Sequence, residues 1–231
     1  SVSRKEQRRK YKVICMLSRD SKIGRAKGPE RFLISAAGFF FLCAIAAALA
    51  EPLAAQEPEY LKGQLLVAAP EMGDPHFADT IVYMIEHNEN GAMGLVINRP
   101  LAKGPIADLL KGLGAEGEEA KGEIIIHYGG PVESGKAFVL HSDDYADKRT
   151  SVVGGGLAVT TDVEIMRAIG QGKGPRNSIF ALGYSGWGPG QLEAELKAGG
   201  WFSIPADERL IFDGDPATKW DRALARRKVK T

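Results

Sequence analysis

The sequence predicts an α+β fold in one domain, with strands joined as hairpins and helices set between the hairpins. Three observations predict it. Short apolar runs rich in Val, Ile and aromatic residues recur between Gly, Pro and Asn turns, as strands do. A few segments instead carry apolar residues at helical spacing. The two kinds do not alternate one for one, which argues against a regular βαβ winding. The chain has 231 residues, 44% hydrophobic and 26% charged, enough for one sizeable core.

The domain is expected over residues 60–231, after a Pro/Ala/Glu linker at 51–59. Residues 65–69 (LLVAA) read as a strand stopped by Pro70, and 71–78 as a loop with an Asp74-Pro75 turn. Residues 80–86 and 93–98 read as strands joined through Asn90-Gly91, and both are apolar on both faces, as in a sheet covered on two sides. Pro105 opens a helix with Ile106, Leu109, Leu110 and Leu113 on one face, ended by Gly112 and Gly114. Strands follow at 124–128 and 137–141, with 129–136 as the turn between them. Val152-Val153 and 157–159 flank three glycines as a hairpin or bulge. Thr161-x-x-Glu164 has the form of a capping box for a helix ending near Gly170. A strand at 178–183, a helix at 189–198, short strands at 201–204 and 210–212, and a helix started by Asp215-Pro216 complete the order.

Charge divides the chain. Residues 1–56 hold 11 Lys/Arg against 4 Asp/Glu, and the remainder 19 against 25. An acidic globular part argues against direct nucleic-acid binding, which needs cations for phosphates. The C-terminal run Arg222, Arg226, Arg227, Lys228, Lys230 reads as a solvated helix end. Residues 32–50 form a 19-residue apolar run behind Arg25, Lys27 and Arg31, and Ala48-Leu49-Ala50 has the small-x-small cleavage form. This is the pattern of a signal peptide, or of an anchor if uncleaved, with Met16 as a possible start. Membrane contact is expected only through 32–50, and only if that segment is uncleaved. Cys15 and Cys43 both lie in this leader, so residues 51–231 contain no thiol chemistry.

No motif completes a catalytic set. Gly130–Lys136 spells G-x-x-x-x-G-K, but Ala137 stands where a phosphate loop needs Ser or Thr. Gly183-Tyr184-Ser185-Gly186-Trp187 resembles a nucleophile elbow, but Trp187 stands where Gly is required. A hydrolase using Ser185 with His141 or His87, or a His/Asp cluster, is therefore the alternative reading. No His pair has helical metal-ligand spacing; Asp74 with His76, or His141 with Asp143 and Asp144, are the pairings to weigh, and neither a metal nor a cofactor is expected. Gln191, Glu193 and Glu195 share a helix and read as a solvated face, and Trp187, Trp201 and Trp220 as anchors.

The motifs together resemble the bacterial YqgE/AlgH family. The resemblance rests on Asp74-Pro75-x-Phe77, Glu86-His87-Asn88, residues 90–94 (NGAMG) and Asn98-Arg99-Pro100. It continues through Gly129-Gly130-Pro131-Val132, residues 138–141 (FVLH), Gly183-Tyr184-Ser185-Gly186-Trp187 and Gly190-Gln191-Leu192-Glu193-x-Glu195, and closes with Trp201, Pro205-Ala206-Asp207 and Trp220. It covers residues 62–224. It implies a branched, mostly antiparallel sheet with a small closed barrel-like part and surrounding helices. It brings an association with transcriptional regulation of alginate, no agreed reaction, and a cytosolic location, whereas the leader points to the periplasm or the membrane. The expectation is a non-enzymatic binding or regulatory domain for a small ligand or a protein partner, with Asp74, His87, Asn98, His141, Tyr184 and Gln191 as candidate ligand-binding residues.

Overall fold

Strand-forming sequence dominates the computed structural model, which describes residues 60–115 and 120–227. The leader and linker of the sequence reading, with Cys15, Cys43, Met16, Lys228 and Lys230, lie outside the described residues. Ten strands follow in order: β1 (Gln64–Ala68), β2 (Ile81–Asn88), β3 (Gly91–Val96), β4 (Pro100–Pro105), β5 (Glu123–Tyr128), β6 (Val132–Ser142), β7 (Thr150–Gly154), β8 (Leu157–Thr160), β9 (Ser178–Trp187) and β10 (Trp201–Pro205). The helices are α1 (Ile106–Gly112), α2 (Glu164–Gly170), α3 (Gln191–Lys197), α4 (Glu208–Phe212) and α5 (Pro216–Arg227).

The sheet runs β10-β1-β2-β3-β9-β6-β8-β7 and is a half-barrel with helices around it. It branches at β9. That strand pairs antiparallel with β3 and β6, and parallel with β5, which carries β4 on its other side. The α+β class with a branched, mostly antiparallel sheet is what the sequence and the resemblance predict.

Two-sided burial explains the continuous apolar runs of β1 to β3. Strand side chains alternate between faces. Leu65, Val67, Ile81, Tyr83, Leu95 and Ile97 meet Leu210, Ile211 and Ala223 from α4 and α5 on one face. Leu66, Ala68, Val82, Met84 and Val96 meet Leu192, Trp187 and Trp201 on the other. A third cluster packs Ile106 and Leu110 of α1 and Ile165 and Met166 of α2 on Val139 and Phe180.

The glycines of two motifs let the β5–β6 connection cross β9 at backbone contact. A Cβ on Gly130 would lie 2.2 Å from the Tyr184 carbonyl carbon, and one on Gly183, which has φ of +72°, 2.5 Å from the Gly130 oxygen. No larger residue fits without moving a strand. Gly129 accepts the Val96 N–H and donates to the Leu182 carbonyl, so the crossing is hydrogen-bonded on both sides.

Five local expectations change. Residues 210–212 belong to α4, not a strand, because the Asp207 carboxylate accepts the N–H groups of Arg209 and Leu210 and starts a helical turn. The capping box at Thr161 does not form; Val163 is the N-cap of α2 and Asp162 accepts the Glu164 N–H at 3.1 Å. The strand expected at 178–183 runs on to Trp187 because β3 pairs with its second half. The 129–136 turn is mostly the start of β6, with a register shift between Val132 and Ala137. β4 is the strand the sequence hides: Pro ends it on both sides and its residues are largely exposed, so no alternation marks it.

Candidate functional site

The six candidate residues fall into four separate places. His87 is buried on β2. Its Nδ1 accepts the Leu61 N–H at 2.9 Å, so the ring proton sits on Nε2, which faces Glu193 of α3 at 3.0 Å. Gln191 begins α3, accepting the Gly188 N–H and donating to Glu195. Glu195 Oε2 also accepts both indole N–H groups, from Trp187 at 3.0 Å and Trp201 at 2.8 Å. The acidic face of α3 is thus a set of anchors rather than the solvated surface its charge suggests. Phe77 stacks on Trp187 and meets Trp201 edge-on, which seals this end of the sheet.

His141 has no exposed surface. Its Nδ1 lies 2.8 Å from the Ser142 carbonyl and its Nε2 2.9 Å from Thr160 Oγ1, continued by Thr150 and Asp147. Burial pushes its pKa down, which the Ser142 carbonyl and Asp147, Asp144 and Asp143 only partly oppose. Ser185 is equally buried, near the end of β9 just before Trp187, and donates to the Gly129 carbonyl at 3.2 Å. Neither His87 nor His141 is among its partners. A nucleophile elbow needs a strand-to-helix turn with its serine exposed, and a continuous strand occupies that position.

The phosphate-loop reading falls on the same ground: Gly130–Lys136 lies mostly within β6 and no helix follows it, and Lys136 pairs with Glu133 at 3.0 Å. Among the described residues no three His, Cys, Asp or Glu side chains gather to hold a metal ion. Also among the described residues, no helix is long and apolar enough to cross a membrane. The arginines of the C-terminal run are tied down: Arg226 pairs with Asp207 at 2.7 Å, Arg227 covers the Phe202 ring, and Arg222 reaches the carbonyls of Asp213 and Arg209.

Tyr184 lines an open cleft of about 380 Å³ beside the β2–β3 hairpin, with Glu86, Asn88 and Asn90. Asp74 and Asn98 belong to a different place, where the sequence motifs converge most closely. Asn98 Oδ1 accepts the Ile81 N–H at 2.9 Å and its amide donates to the Asp79 carbonyl at 2.8 Å. Asp79 holds φ of +57°, and this bond fixes it. Arg99 spreads its guanidinium over the same loop, donating to the carbonyls of His76, Ala78 and Pro75 at 2.7, 2.8 and 3.1 Å. Asp74 accepts the His76 N–H and so shapes the turn.

The clamped loop forms one wall of a groove of about 500 Å³. Its lining is His76, Asn98, Arg99, Pro100, Leu101, Tyr128, Asp215 and Ala217. A second hollow adjoins it across Asn98, Arg99 and Ala217, reaching Trp220 and Asp221. The Tyr128 hydroxyl lies 3.5 Å from His76 Nδ1. Partial burial pushes its pKa up; the Arg99 charge opposes this and the Asp74 charge adds to it, so both charges act on the phenol.

Sequence reasoning named Asp74 and Asn98 here and passed over Arg99, Tyr128 and Leu101 as site residues. The available signal was Asn98-Arg99-Pro100 directly after an apolar strand, where an arginine leaving the sheet sits at its rim. Leu101 gave none, since its 60% exposure follows from lying on an edge strand.

Comparison with known proteins agrees with this architecture. A family model described as AlgH-like matches residues 65–231. A UPF0301 protein of Rhodospirillum rubrum is 43% identical over 72% of this chain and 87% of its own length. One from a Methylobacterium strain is 46% identical over 71% and 82%. The solution structure of the AlgH protein from Pseudomonas aeruginosa superposes with a TM-score of 0.62 at 42% identity, covering 74% of this chain and 90% of that one. A crystal structure of a Corynebacterium diphtheriae protein, at 21% identity and a TM-score of 0.57, shares the fold. The chain belongs to the AlgH-like family.

Proposed function

We propose that this protein is a non-enzymatic binding domain of regulatory type, and that its binding surface is the groove between the 74–79 loop, β4, Tyr128 and the first turn of α5. The observation that carries the reading is the groove itself: polar groups from three segments converge on a concavity whose other walls, Pro100, Leu101 and Ala217, are apolar. That is the usual composition of a small-molecule site, and about 500 Å³ is within the usual size. The hydrolase alternative draws no comparable support, because Ser185 and His141 are both buried and bonded elsewhere. A regulatory protein of this kind would report ligand occupancy through the 74–79 loop, which the groove shares with the Phe77 contact to Trp187 and Trp201.

The test is a thermal-shift screen of a fragment library against the full chain and its Leu101→Asp variant. Leu101 is mostly exposed, so the variant should unfold within about 3 °C of the parent. Fragments that stabilise the parent should lose their effect in the variant. Equal stabilisation of both would move the binding surface away from the groove.

A further inference from the structure

We propose that the groove takes the carboxylate of a small amphiphilic acid, its charge held by Arg99, Tyr128 and His76 and its apolar body laid along Pro100, Leu101 and Ala217. The proposal rests on the groove being the binding surface.

The argument is a hydrogen-bond account of the lining. An arginine carries five N–H donors in a planar fork. Three of those on Arg99 go to the carbonyls of Pro75, His76 and Ala78, two from Nη2 and one from Nη1. Among the described residues, the Nε–H and the second Nη1–H have no acceptor. The Tyr128 hydroxyl has, among the described residues, only its long 3.5 Å contact with His76 Nδ1, and His76 Nε2 has no partner among them. Unspent capacity on this side of the groove is therefore mostly donor capacity.

The neutral side-chain acceptor is engaged. Asn98 spends its oxygen on the Ile81 N–H and its amide on Asp79. Asp74 Oδ1 holds the His76 N–H and Asp215 Oδ1 the Ala217 N–H at the start of α5, while the Oδ2 atom of each has no partner among the described residues. A ligand that supplies acceptors satisfies the Arg99, Tyr128 and His76 side of the lining, and an ionised one makes the stronger charge-assisted bonds there. An ammonium on that side would face the Arg99 charge; the Asp215 carboxylate, also in the lining, is the group that would draw it instead. The positive group is rigid before any ligand arrives, since three carbonyls fix the guanidinium plane, which lowers the ordering cost of binding. The apolar wall requires a body of several carbons, so the match is an aliphatic or aromatic monocarboxylate rather than a free inorganic anion.

The experiment is an NMR titration of the 15N-labelled full chain with three probes of one length: hexanoate, 1-hexanol and hexylammonium. Hexanoate should shift the amides of Leu101, Tyr128 and Ala217, with hexanol bound about tenfold more weakly and hexylammonium leaving them unmoved. Tyr128→Phe, which removes only the hydroxyl, should weaken hexanoate about fivefold and leave hexanol unchanged, and His76→Ala should do the same. Hexanol or hexylammonium binding as tightly as hexanoate, or hexanoate indifferent to both substitutions, overturns the carboxylate while leaving the groove as the binding surface. No shift with any probe also overturns it, and the Leu101→Asp screen then decides separately whether the groove binds anything.

Discussion

Lys219 shows how far a single residue can depart from its sequence pattern. Lysines on an amphipathic helix are expected at the water-facing side, yet Lys219 of α5 is buried near Ala223 and donates to the Ile211 carbonyl at the end of α4. Burial, helped by the Arg222 charge and opposed by Asp213, pulls its pKa from 10.5 to about 8. The folded pKa lies below the unfolded one, so the folded state binds fewer protons between those values and stability rises with pH across that window. Below about pH 8 the full cost applies, about 3 kcal/mol. Urea unfolding of the parent should show stability climbing from pH 8 to 10 more steeply than in Lys219→Met, and parallel pH profiles would remove the burial cost from the account. Nothing in the sequence marks this lysine, because the spacing that buries Ala223 also buries its neighbour one turn before. His141 and Ser185 teach the opposite lesson: their residue types suggest chemistry, while their 0% exposure and complete hydrogen bonding assign them to the sheet.

Among elements, the 69–80 loop and β4 matter most, because they build the groove and were read least completely. The hairpin of β2 and β3 was legible from Asn90-Gly91 and two apolar runs, and its pairing from Val82 with Val96 to Asn88 with Gly91 follows that turn. β4 was not, because an edge strand without a buried face carries no periodic signal. α4 was misread because Leu210, Ile211 and Phe212 suit either state and only the Asp207 cap decides. Asn98-Arg99 was legible as a motif but not as a clamp, since its partners are backbone carbonyls and an N–H about twenty residues upstream. Asn98→Ala strands the buried Ile81 N–H and frees Asp79 from its left-handed conformation. It should cost about 2–4 kcal/mol in chemical denaturation, and a loss below about 1 kcal/mol would show that the loop holds its shape by other means.

At the scale of the whole molecule, the sheet is covered on both faces by different helices, α3 on one and α4 with α5 on the other. That organisation was legible, because only a doubly covered sheet tolerates strands as uniformly apolar as β1 to β3. The branch at β9 was not legible from residue patterns: it depends on Gly129, Gly130 and Gly183 meeting from distant segments, which a linear pattern records only as turns. The same crossing draws Tyr128, at the end of β5, to the rim beside Arg99 and the start of α5, so three motifs far apart in sequence close one groove. The central claim is that this groove, and not the interior around Ser185 and His141, is where the protein meets its ligand. A backbone-amide chemical-shift map of the full chain against a pooled fragment mixture tests it most directly. The largest shifts should fall at His76, Arg99, Leu101, Tyr128 and Ala217 with Ser185 and His141 unmoved; shifts centred on Ser185 and His141, with the groove silent, would contradict a ligand site in the groove.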